Sequence, residues 1–237
     1  TQQSIYNDID ALLASAILAL EGPDTSGFAP NSSSDLIYDG DLDQWLRAAY
    51  TLRARYQLHL SEVNGTAAAT AALASLANGF SSNADDFQMF YTEKNINPWY
   101  ARQILAANTG NDHDKIGDQL VNYMNGNSYP YNSISLDPRL PIYSDKDDGG
   151  AGDPWRGYVS GGDGLSSDGE SGNTNFADGG FYTNAAGPLV VISYAEAMFI
   201  KAEAEFIVNG GNETSVGSST AAYTAYMDGI TASMDKL

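Results

Sequence analysis

The sequence predicts a mostly α fold, with tetratricopeptide-like helix pairs at its two ends and a large irregular region between them. Three observations carry this expectation. Apolar residues recur at the 3–4 spacing of a single helix face over residues 4–21, 42–62, 66–78, 193–208 and 220–236. Period-two alternation, the mark of a half-buried strand, is scarce. From residue 80 to about residue 188 periodicity is poor, and aromatic residues, Asn, Gly and Asp become frequent. The expected division is one partial domain over residues 1–237, with a helical scaffold of residues 1–79 and 193–237 and an irregular insert of residues 80–192.

In the first helix, Ile5, Ile9, Leu12, Leu13, Ala16, Ile17 and Leu20 form the buried stripe. Ser4 is the expected N-cap, and Gly22-Pro23 stops the helix. In the second, Trp45, Ala49, Leu52 and Tyr56 form the stripe, with Asp41 as cap and Gln44 three residues later. Arg47, Arg53 and Arg55 lie on this one helix, three of only 11 Lys and Arg residues, so acidic partners are expected for them. The third helix is Ala-rich and closes at Gly79. Short helices are expected near residues 98–107 and 114–125. Ser193 and Glu196 match a capping box before the fourth long helix, which ends at Gly210-Gly211. Tyr223, Tyr226, Met227, Ile230 and Met234 mark the stripe of the last. Neighbouring helices joined by short turns suggest stacked helical hairpins, although no strict 34-residue repeat is visible.

Composition narrows the function. At 43% apolar, the 237-residue chain buries a real core. A net charge of −19 speaks against nucleic acid and against a basic membrane-surface patch, because both need clustered Lys and Arg. With no Cys and only His59 and His113, a thiolate or His-rich metal site is not expected. No apolar run reaches the ~20 residues of a membrane span. The chain has no signal peptide or initiator Met and reads as an excised piece of a longer protein.

Motifs that would carry catalysis are missing. No P-loop, dinucleotide fingerprint or G-x-S-x-G occurs. Glu196 and Glu203 share one helix face, but seven residues put them roughly 10.5 Å apart along the axis. Retaining glycosidases hold their carboxyl groups at about 5–5.5 Å and inverting ones at about 6.5–9.5 Å. Scaffold roles are expected instead, with Glu196 in its capping box and Glu203 paired to an Arg of the 42–62 helix. Asp39, Asp41 and Asp43 start like a calcium loop but lack its Gly and its final Glu. No cofactor is expected; a structural Ca²⁺ on Asp145, Asp147, Asp148 and Asp153 is the one metal alternative. Asn31, Asn64 and Asn212 match the N-glycosylation pattern by chance.

Five stretches, in this order, resemble the SusD/RagB family of surface lipoproteins: DLIYDGDLDQWLRAAYTLRARYQLHLS (35–61), NPWY (97–100), DPRLPIY (137–143), SYAEAMFIKAEAEF (193–206) and AYMDGITASM (225–234). The resemblance spans nearly the whole chain, at about half the usual family length. It implies helix pairs of tetratricopeptide type carrying a large irregular, ligand-presenting region. It further implies a non-enzymatic glycan-binding protein on the outer membrane at the cell surface. Such a protein is anchored by an N-terminal lipid that lies outside this chain, and it serves a SusC-like TonB-dependent transporter.

A sugar site needs exposed rings for C–H faces and polar groups for hydroxyls. The candidates are Asn97, Trp99, Tyr100 and Arg102, with Asn95 beside them; Trp155 and Tyr158, with Arg156; and Tyr129 and Tyr131 around Pro130. For Trp99 and Trp155 the competing reading is core packing, whereas Trp45 reads as core. DPRLPIY reads as an extended segment braced by Asp137 and Arg139. The alternative function is a tetratricopeptide-type scaffold for a peptide or protein. Its sign would be a groove on the helix pairs together with burial of the middle-region aromatics.

Overall fold

The computed structural model describes residues 1–23, 25, 27–28, 34–110, 114–146, 154–162, 174–212, 214–215 and 219–237. The chain forms two compact units, one of residues 1–89 with 190–236 and one of residues 90–189.

The first unit is helical. It contains α1 (Gln2–Glu21), α2 (Leu42–Leu58), the short α3 (Ser61–Asn64) and α4 (Thr66–Leu76), and, late in the chain, α9 (Tyr194–Val208) and α10 (Thr220–Asp235). Helix α1 packs on α2, α2 on α4, α4 on α9, and α9 on α10. At the centre the contact residues are alanines: Ala54, Ala69, Ala72, Ala197 and Ala204 are all fully buried. Larger side chains close the ends of this core. Tyr38, Trp45 and Phe87 make edge-on and tilted ring contacts at 5.2–6.1 Å, and the Trp45 indole N–H donates to Asp35 Oδ2 at 2.7 Å. Gly79 is required at its turn. A Cβ there would lie 2.7 Å from Thr51 Oγ1, which accepts the Phe80 N–H.

Several helix ends differ from expectation. The cap of α1 is Thr1, and Ser4 is the third residue of its first turn, completing a reciprocal box with Thr1. Asp41 does cap α2, accepting from the N–H groups of Asp43 and Gln44, but the Gln44 side chain reaches away to Ala84 O. The 42–62 helix is broken after Leu58, where Leu60 N–H bonds back to Gln57 O in a tightened last turn. The arginine partner expected for Glu203 is taken by Glu196 instead. Ser193 Oγ caps Glu196 N–H as expected, but the Glu196 carboxylate leaves the cap and takes Arg55 in a bidentate pair at 2.6 and 2.7 Å. Glu203 is exposed. Arg53 pairs with Asp10 and Arg47 with Asp85, so all three arginines of α2 meet acids.

Strands β1 (Phe87–Phe90) and β4 (Pro188–Ile192) pair. Phe87 and Ile192 both belong to the helical unit's core. Asp86 receives the Tyr194 N–H at 2.6 Å and the Lys236 ammonium, which ties the start of α9 to the end of α10.

The second unit holds a helical stretch made of α5 (Pro98–Tyr100), a π-helical segment (Ala101–Leu105) and α6 (Ala106–Asn108). It also holds α7 (Asp118–Met124), α8 (Leu140–Tyr143), and β2 (Ser144–Asp145) antiparallel to β3 (Asn175–Phe176). Ile116, Val121, Met124 and Leu140 form its core, with Tyr143, Trp155 and Phe176 packed on them. Helix α7 starts four residues later than expected because residues 116–118 bond instead to the backbone of Tyr158. DPRLPIY is not extended throughout: Leu140–Tyr143 is a helical turn with Pro141 in its first positions, where a missing N–H costs nothing. Asp112, His113, Asp147, Asp148, Asp153 and Asn31 lie outside the described residues. Among the described residues no cluster of His, Asp and Glu could hold a metal, and no helix is long and apolar enough to cross a membrane.

Asp85 is a buried acid of the helical unit held by several donors. It is 4% exposed and accepts from Ser81 N and Ser81 Oγ, each at 2.7 Å, and from Arg47 Nη1 at 3.2 Å. Burial pushes its pKa up, but the Ser81 hydrogen bonds and the Arg47 charge outweigh that, and the net shift is downward. Its contribution is therefore present above the unfolded carboxylate pKa and lost as pH falls through the folded value. Asp85→Asn should cost about 2 kcal/mol at neutral pH. In urea titrations across pH, native protein and variant should converge on the acid side; a constant gap would refute the assignment.

Candidate functional site

Two neighbouring clefts of the second unit share a wall. The first, of about 330 Å³, is bordered by Tyr123, Tyr131, Ile134, Asp137, Arg139 and Tyr143. The second, of about 360 Å³, is bordered by Lys115, Ile116, Gly117, Leu140, Phe176 and Tyr182. Leu120, Met124 and Tyr143 belong to both walls.

Local structure explains how these side chains meet. Helix α7 buries Val121 and Met124 and leaves Leu120 and Tyr123 on its outer side. The chain after it turns back at Gly126, which has φ +77 and lies so close to Ile134 that a Cβ would overlap the Ile134 carbonyl oxygen. Only glycine meets both conditions. The fold-back sets Tyr131 against Tyr123, with ring centroids 5.2 Å apart and planes tilted by 58°. Asp137 N–H then donates to Met124 O at 2.6 Å and fixes the next stretch to the end of α7. Asp137 and Arg139 form a bidentate pair at 3.0 and 2.7 Å, and the Arg139 N–H donates to the same carboxylate. The Arg139 guanidinium holds the Asp137 carboxyl below its usual pKa against the opposing effect of burial, and Asp137 in turn raises Arg139. The cleft therefore carries an oriented, ionised pair beside two partly exposed rings.

Tyr143 stands between the clefts, 5.4 Å from the Tyr182 ring. Burial, then the neighbouring Tyr182, raises its pKa, so the hydroxyl keeps its proton at neutral pH. That hydroxyl makes no hydrogen bond to another described residue.

The structure distributes the eight expected site residues unevenly. Tyr131 lines the first cleft. Trp99 is 50% exposed, and its ring lies 6.0 Å from Phe176, a wall of the second cleft. Tyr129 is 86% exposed, next to a cis bond with Pro130. Tyr100 is half-buried on the helical stretch. Asn97 is 3% exposed: it caps α5 by accepting from Trp99 N–H, and its amide donates to Gly187 O, so both ends serve the backbone. Arg102 forms a bidentate pair with Asp114, which Gln103 also supports. Trp155 packs on the unit's core with the Lys146 ammonium 6.0 Å over its ring. Tyr158 is half-buried, and its backbone bonds to Ile116 and Asp118. Sequence reasoning missed Tyr123, Tyr143 and Tyr182 as site residues and treated Asp137 and Arg139 only as a brace. The legible signal was the density of Tyr between residues 123 and 143.

The helical unit carries a separate cleft of about 550 Å³, bordered by Tyr6, Asp10, Tyr56, Gln57, Leu60 and Asn64. Tyr6, Tyr56 and His59 form an edge-on ring cluster at its side.

The profile of a SusD-like family described as starch-binding, associating with the outer membrane, matches residues 1–237. No match was found among curated proteins. Solved structures do match over the whole chain. A chitin-binding protein has a TM-score of 0.74 at 24% identity, with 48% of its own chain covered. A SusD homologue from Bacteroides uniformis has a TM-score of 0.73 at 22% identity, with 45% covered. A SusD-like protein from Bacteroides thetaiotaomicron has a TM-score of 0.70 at 25% identity, with 45% covered. The chain thus spans about half the length of the solved structures it matches.

Asp137→Ala should free the Arg139 side chain and remove the acceptor for its N–H, at a cost of about 1–2 kcal/mol. Hydrogen exchange at the Arg139 amide should accelerate. Unchanged protection would mean that the carboxylate does not set this part of the cleft.

Proposed function

This chain belongs to the SusD-like family, and from that premise we propose that it binds glycans without cleaving them. The observation that carries the reading is the Tyr123–Tyr131 ring pair next to the ionised Asp137–Arg139 pair in one cleft. Rings exclude water from the C–H faces of a sugar, and the charged pair offers donors and acceptors of fixed direction to its hydroxyls. Trp99 and Tyr129, both well exposed, extend the aromatic surface of the same unit. The name of one structural neighbour, a chitin-binding protein, agrees with an oligosaccharide ligand. Engagement of Glu196 by Arg55 agrees with binding in place of hydrolysis, since the carboxylate pair that raised the question is divided between a salt bridge and an exposed position.

Within this reading the full-length protein sits on the outer membrane at the cell surface through an N-terminal lipid outside this chain. It passes oligosaccharides to a SusC-like TonB-dependent transporter. The second reading, a scaffold for a peptide or protein, draws on the cleft between α1, α2 and α4. The exposure of Trp99, Tyr129 and Tyr131 favours the glycan reading over it.

Native electrophoresis through gels cast with soluble polysaccharides tests the proposal, with a reducing-end assay on the same mixtures. Retardation without new reducing ends is expected. Tyr131→Ala and Tyr123→Ala should each weaken binding by up to about tenfold, the effect of one aromatic contact. Full retardation in both variants would refute the site, and no retardation in any gel would refute the function.

A further inference from the structure

We propose that the second cleft is an adjoining subsite that receives the acyl group of an N- or O-acylated sugar; this rests on the glycan-binding reading. The first ground is size. Each cleft alone is near the lower end of the ~300–1,000 Å³ usual for small-molecule sites. Leu120, Met124 and Tyr143 border both, and a ligand reaching into both would have a volume in the middle of that range.

The second ground is chemistry. The first cleft has Arg139 and Asp137 to meet hydroxyls. The walls of the second are mainly Ile116, Leu120, Met124, Leu140 and Phe176, with Lys115, Tyr143 and Tyr182 as its only polar side chains among the described residues. A sugar ring bearing only hydroxyls would give up its water there for few partners, which is unfavourable. An acyl methyl loses nothing by entering such a space, and its carbonyl needs a single donor. The Tyr143 hydroxyl, on the shared wall and without a partner among the described residues, is such a donor. Trp99, half-exposed and 6.0 Å from Phe176, lies beside the subsite as a stacking surface for the ring that carries the acyl group.

A filling variant is available that the fold should tolerate. Gly117 borders the second cleft with φ −66 and ψ 141, a conformation open to any residue, and a Cβ there meets nothing within 4 Å. Gly117 borders the second cleft and not the first, so Gly117→Trp adds its bulk at the rim of the proposed subsite, away from Tyr123, Tyr131, Asp137 and Arg139. The ligands are matched oligomers of equal length. One pair is β-1,4-linked N-acetylglucosamine against β-1,4-linked glucose. The other is O-acetylated xylo-oligosaccharide against the same material after saponification. Titration calorimetry should show at least one acylated ligand bound about tenfold or more tightly than its match, the scale of one apolar group in a fitted pocket. Whichever pair shows the gain tells amide from ester. Gly117→Trp should abolish the gain, leave the unsubstituted oligomer's affinity unchanged, and melt as the native protein does. Equal affinities in both pairs, or a gain that survives Gly117→Trp, would overturn the subsite while leaving glycan binding intact. Binding of none of the four ligands would overturn the glycan reading and the subsite with it.

Discussion

Where α2, α4 and α9 meet, alanines without exposed surface lie beside Leu58, Met198 and Ile200, and a close-packed core tolerates larger side chains at such positions poorly. Alanine contributes little apolar area per residue, so such a core is poor in hydrophobic free energy for its length. The unit compensates at its ends. Tyr38, Trp45 and Phe87 supply aromatic bulk at one, and charged ties such as Arg55 to Glu196 join residues 141 positions apart. Because Phe87 and Ile192 are anchored in this same core, the points at which the chain leaves and rejoins the helical unit are set by its packing.

The use of charge follows a similar logic. With 11 basic and 30 acidic residues, each cation has many possible partners, and the helical unit uses its arginines as specific connectors. Arg47, Arg53 and Arg55 each reach a different acid from one helix. Arg139 differs, because its partner Asp137 is only two residues away. A local pair joins no distant elements; it fixes the direction of the guanidinium. Orientation has little value in a fold brace and much in a site that must present donors at a chosen angle.

The helical scaffold was readable because its signals are local. Apolar spacing identified the long helices but not all their buried faces. Ile5 and Leu12 of α1 and Tyr223, Tyr226, Met227 and Met234 of α10 are exposed, while the small residues Ala222, Ala225, Gly229 and Ala232 face the core. Asp41 and Ser193 cap where short-range rules place them. The errors arose where a side chain had two possible jobs. Glu196 fits a capping box by spacing, but a guanidinium on α2 competes for its carboxylate, and a charged bidentate pair is the stronger interaction. DPRLPIY reads as extended because its two prolines disfavour helix, although the first turn, where Pro141 sits, is the place a helix accepts proline. The site was legible only in outline. Asn97, in a stretch of aromatic and polar residues, turned out to serve the backbone at both ends of its amide. The ring pair Tyr123–Tyr131 depends on the fold-back at Gly126, which no periodicity reveals.

That fold-back also bears on why a cleft exists here at all. Loop side chains have many rotamers, and holding several of them around a cavity costs conformational entropy. Three features of this unit reduce that cost before any ligand arrives. Gly126 permits a backbone contact with Ile134 that any Cβ would block. Asp137 N–H is bonded to the end of α7. The Asp137 carboxylate holds both the backbone and the guanidinium of Arg139. The first and third fix the segment after α7 to itself, and the second ties it to the end of α7. A ligand bound here would meet surfaces already in position, so that ring contacts of modest strength would not be consumed in ordering the loop.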